Sequence, residues 1–104
     1  MANRIRWCAR FAGTFLLSID KTDTVPGDPW IGHLLSRSPV RPCDESFPAR
    51  DEQIAKEAVE NTIRYDLDFG RYAHRLDKEL NWKPCDLSEE EWQQERTRFI
   101  ETGE

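Results

Sequence analysis

Residues 4–19 read RIRWCARFAGTFLLSI, and their conformation decides the fold class. The run fits two templates. As a helix it lines Ile5, Cys8, Ala12, Phe15, Leu16 and Ile19 along one face. As a hairpin, Ile5, Trp7, Ala9 and Phe11 alternate with Arg6, Cys8 and Arg10. Gly13 then sits in a three-residue turn, and Phe15, Leu17 and Ile19 make the return strand. Gly13 speaks for the hairpin, because glycine inside a helix costs about 1 kcal/mol. The helix is preferred nonetheless, since the rest of the chain reads as helical and an isolated hairpin is weak in water.

The strongest periodic signal lies downstream. Asp51 to Trp82 reads DEQIAKEAVENTIRYDLDFGRYAHRLDKELNW. On a helical wheel Ile54, Ala55, Ala58, Thr62, Tyr65, Phe69, Tyr72, Ala73, Leu76 and Leu80 form one core-facing stripe. Glu60 precedes Arg64 by four, the favourable orientation for a helical ion pair. A single straight helix of this length would span roughly 48 Å. A compact globule of this chain length is only about 34 Å across. The stretch therefore bends, with Asp68-Phe-Gly70 as the expected kink, or projects.

The flanking segments complete a helical reading. Residues 20–29, with Pro26-Gly27, form a loop. Asp28 and Pro29 start a short helix from Trp30 to Arg37. Residues 38–48 hold three prolines and run extended, with Phe47 pinned to the core. Ser88-Glu-Glu-Glu91 is a capping box, and Leu87 with Trp92 supplies the hydrophobic staple. It starts a helix over residues 89–102, stopped by Gly103. The expected fold is mainly α: a small single-domain helical bundle around a central helix kinked at residues 68–70. The alternative is α+β, with a hairpin at residues 4–19.

At 104 residues the chain is one domain, with eleven aromatics to build its core. Its net charge of −5 is unevenly spread, with the first fifty residues at +2 and the remainder at −7. An acidic half lacks the basic footprint of a general nucleic-acid binder and suits a basic protein surface. Cys8, Cys43 and Cys85 are odd in number and far apart, which indicates free thiols in a reducing, cytoplasmic setting. No run is long enough to span a membrane. The acid-free N-terminus is also compatible with an organellar targeting segment.

Catalytic chemistry finds little support. Cys43 or Cys85 with His33 or His74 lacks any recognisable nucleophile frame. Zinc-ligand spacings are absent, as are phosphate-binding glycine loops. Asp66 and Asp68 face different sides of a helix. No cofactor and no metal is expected. The function expected is therefore a non-enzymatic module that binds another protein or protein complex, as an adaptor, accessory subunit or inhibitor. Its carrier is a second apolar ridge, Val59, Ile63 and Leu67, continued by Gly70, which must be covered by another segment of the chain or by a partner. A second reading is a nucleic-acid-binding regulator using Arg64, Arg71, Arg75 and Lys78, helped by Arg4, Arg6 and Arg10. A third is a small metal- or thiol-dependent enzyme using His33, His74 and the cysteines.

Overall fold

The computed structural model describes residues 6–21, 26–85 and 87–102. The residue-level expectations for Arg4, Ile5 and Gly103 lie outside those residues. The fold is α+β, which corrects the expectation of a helical bundle. Strands β1 (Arg6–Phe11), β2 (Phe15–Lys21), β3 (Trp30–Ser36) and β4 (Cys43–Ala49) form an antiparallel meander. A two-residue strand, β5 (Lys83–Pro84), joins the free side of β1, giving the order β4-β3-β2-β1-β5.

Two segments expected to be helical are strands, for one physical reason. The β2 residues from Phe15 to Asp20 are all buried, so both faces of that strand are covered. A strand buried on both sides loses the alternation that marks half-buried strands. The hairpin is closed through Ala12, Gly13 and Thr14, where the Thr14 N–H donates to the Phe11 carbonyl at 3.1 Å. Ala12 and Gly13 both take positive φ, 57° and 64°, the left-handed geometry that matches strand twist in a tight hairpin. The Trp30 segment, expected as a short helix, pairs with β2 over its whole length and with β4 on its other side. An isolated hairpin would be weak, but here it is two strands of five.

The central stretch breaks. Helix α1 runs Glu52–Tyr65, capped by Asp51, whose carboxylate accepts from the Ile54 N–H at 2.8 Å. Asp66 leaves the helix in an extended conformation, φ −75° and ψ 126°. A 3-10 turn, Leu67–Phe69, follows, and then two one-turn helices, α2 (Gly70–Ala73) and α3 (Leu76–Glu79). The longest dimension of the molecule is 39 Å, so the bend replaces projection.

Helix α1 lies across β2, β3 and β4. Its buried residues are Ala55, Val59 and Ile63, a face rotated from the expected stripe, whose Tyr65 is exposed. The rotation follows from Gly32 on β3. A Cβ there would stand 2.8 Å from the Val59 Cγ2 and 2.9 Å from the Ala55 carbonyl oxygen. Only glycine lets the helix settle this close to the sheet. On the same face Phe15 makes edge contacts with Phe69 and Tyr72, at centroid distances of 5.0 and 5.1 Å.

Helix α4 (Glu89–Thr102) covers part of the opposite face, where Trp92 and Phe99 pack on Leu16 and Leu35. The capping box is formed as expected: Ser88 Oγ accepts from the Glu91 N–H, and Glu91 accepts from the Ser88 N–H, each at 3.1 Å. Leu87 packs on the same cluster as Trp92, the contact expected of the staple.

Candidate interaction surface

The break after α1 builds an exposed apolar projection. Leu67 is 96% exposed and Tyr65 73% exposed, at the turn between α1 and α2. Val40, in the loop before β4, is 64% exposed. Arg41 joins the two loops, with its guanidinium 3.1 Å from Asp66 and 3.9 Å from Asp68. It also reaches Glu45 at 3.1 Å and stands 5.7 Å from the centre of the Phe69 ring. Asp66, foremost, raises the Arg41 pKa above its ordinary value, so the clamp stays charged at any ordinary pH.

The turn is held from within as well. Asp66 accepts from the Asp68 N–H at 2.9 Å, and the Phe69 N–H donates to the Asp66 carbonyl at 3.0 Å. Phe69 is fully buried against Phe15. With Phe69 anchored inward and Asp66 capping the turn, Leu67 has only solvent to face. A large aliphatic side chain on a built turn differs from an apolar residue on a fraying end.

The expected ridge is divided by this geometry. Val59 and Ile63 are fully buried beneath the sheet and offer nothing to a partner. Leu67 and Gly70 are exposed, and a Cβ on Gly70 would meet nothing within 4 Å. Tyr65 and Val40 belong to the exposed patch and escaped sequence reasoning. Tyr65 matched the core stripe, and the meeting of loop 40 with loop 66 depends on the sheet.

The four bases of the nucleic-acid reading do not share one helical face, because the helix they were placed on is broken. Arg64 bonds Asn61 at 2.8 Å and stands 3.5 Å from Asp77, while Glu60 instead accepts from the Trp82 indole. Arg75 grips Glu79 at 2.6 and 2.8 Å, and Arg71 lies over the Tyr72 ring. Lys78 is exposed on α3. Of the N-terminal arginines, Arg6 is buried and Arg10 pairs with Glu95 at 2.8 Å.

The face toward α4 carries a polar strip. Ser46, His33 and Ser18 are cross-strand neighbours on β4, β3 and β2. His33 Nδ1 is 3.0 Å from Ser46 Oγ, and its Nε2 is 3.6 Å from Asp20. Asp20 accepts from Arg6 at 2.5 Å, and Arg6 reaches Glu89 at 3.3 Å and lies over Trp92. Hydroxyl, imidazole and carboxylate thus stand in a row that no spacing in the sequence reveals. The row is not a nucleophile relay: 3.6 Å is longer than a hydrogen bond, and the carboxylate is engaged by a buried guanidinium. Burial would raise the Asp20 carboxyl, but His33 and Arg6 outweigh it and hold it below its ordinary range.

The cysteines are free thiols, as expected. Cys43 packs with the α1 side of the sheet, away from His33, so those two do not pair. Among the described residues no three His, Cys, Asp or Glu side chains gather as metal ligands, and no helix is long and apolar enough to cross a membrane. Comparison with protein-family models, with curated proteins and with solved structures found no match.

Proposed function

We propose that the protein is a small non-enzymatic binding module that docks on a larger protein through the Tyr65–Leu67 turn. The observation that carries this reading is Leu67, almost wholly exposed on a turn pinned by Arg41, Asp66 and Phe69. Leaving a leucine side chain in water forgoes about 1.5–3 kcal/mol of burial, which a partner's pocket would recover. The C-terminal half is acidic, so the partner offers an apolar pocket in a basic surface. Pre-formed turns lose little entropy on docking.

Affinity capture from the native host with the intact chain, Leu67→Asp and Ile100→Asp tests this. Ile100 is exposed on α4, on the other side of the sheet, and serves as the control. The expected result is a partner retained by the wild type and by Ile100→Asp but lost with Leu67→Asp, at equal thermal stability. Recovery of the same proteins by all three chains would sink the reading.

A further inference from the structure

Cys8 and Cys85 face one another without being joined. Cys8 pairs with Lys83 between β1 and β5, and the Cys85 N–H donates to the Arg6 carbonyl at 2.9 Å. Cys85 therefore stands opposite Arg6 and diagonal to Cys8 on one face of the sheet. Both side chains pack on the Leu16–Trp92–Phe99 cluster, close enough for Cys85 to raise the Cys8 thiol. Both also line a cleft of about 430 Å³ between β1, β5 and α4, with Arg10, Lys83 and Glu95 around it. A small solute can reach them there. Cys43 packs on the opposite side of the sheet.

We propose that Cys8 and Cys85 form a dithiol site that a low-molecular-weight disulfide converts to an intrachain disulfide, tying β1 to the segment leading into α4. The site is independent of the Tyr65–Leu67 surface. In the first step one cysteine, as its thiolate, attacks a sulfur of the oxidant, whose other half leaves as a thiolate and takes a proton. The second cysteine then gives up its proton and attacks the mixed disulfide, expelling the remaining half. Two protein thiols are oxidised to one disulfide, and one external disulfide is reduced to two thiols. Cys8 lies within β1, paired on both sides by β2 and β5, whereas Cys85 lies just past the end of β5, so attack starts at Cys85 and Cys8 resolves it; burial, then Cys85, also raises the Cys8 thiol.

Closing the bond needs a small movement. Diagonal cross-strand Cα atoms lie about 7–8 Å apart, whereas a disulfide prefers about 5.5–6 Å. Cys85 follows the last residue of β5 and precedes the α4 cap, so its own segment can shift. The bond from its N–H to the Arg6 carbonyl is the contact that lengthens.

The test is to incubate the reduced, intact protein with oxidised glutathione and to analyse whole-chain and peptide masses. Loss of two hydrogens is expected, with peptides joined through Cys8 and Cys85. Cys43→Ser should behave as the wild type, and Cys8→Ser should stop at a glutathione adduct on Cys85. An adduct that persists on the wild type, a disulfide that includes Cys43, or no reaction overturns the assignment. The wild-type result decides even where a variant does not fold.

Discussion

Asp20 and Arg6 are both almost wholly buried and form an ion pair at 2.5 Å. Replacing Asp20 with Asn would leave a buried guanidinium with Glu89 as its one remaining carboxylate among the described residues, a loss of about 3–5 kcal/mol in chemical denaturation. The pair also sets an acid limb. Because the folded Asp20 titrates below its ordinary value of 3.8, its contribution is complete above that pH and is lost as pH falls through the lower folded value. Stability measured between neutral pH and strong acid should therefore fall less steeply for Asp20→Asn than for the wild type. Ile63 and Leu67 give a sharper contrast, since they lie four apart and were read as one ridge. Ile63→Ala removes fully buried volume and should cost about 2–5 kcal/mol. Leu67→Ala should change stability by no more than about 0.5 kcal/mol, because nothing but solvent surrounds it.

At the scale of elements, two positions carry more than their size suggests. Gly32→Ala places a methyl group against the Ala55 carbonyl oxygen, which is backbone and cannot rotate away. The helix must rise from the sheet, at a cost of about 1–3 kcal/mol measured by thermal unfolding. Ser88→Ala removes one half of the capping box and should cost about 1 kcal/mol, without altering the sheet. The capping box was legible in the sequence because its partners are three residues apart and need nothing else. The helical stretch was also legible from its first residue, Asp51, which caps α1. Strand β2 was legible only as the return strand of the alternative hairpin reading, and β3 was not legible as a strand. Leu16 and Leu17 face opposite sides of the sheet and are both buried, so the apolar run satisfies a helical wheel equally well. The rotated face of α1 was hidden because it depends on a non-local contact: Ala55 and Val59 lie directly over Gly32 of β3. The candidate surface was half legible. Leu67 and Gly70 could be found from the wheel, but Tyr65 and Val40 needed the break at Asp66 and the reach of Arg41 across to it.

For the whole molecule, a meander with helices on both faces leaves two sheet edges, and they differ. On one side β5 pairs with β1 for two residues. On the other side no strand among the described residues lies beyond β4, although β4 is seven residues long. An unpaired edge of that length invites a second chain to add on. Pro48, in the pair with Ile31, has no N–H to offer an incoming strand, and Asp44 and Glu45, held by Arg96 and Arg41, line that edge with charged pairs. The imino acid at position 48 thus withholds one donor from any chain adding to that edge. Pro48→Val combined with Asp44→Val should leave the monomer folded yet shift it toward concentration-dependent assemblies in sedimentation velocity. A double variant that stays monomeric at high concentration would mean that the rim of the sheet is protected by something other than its own composition.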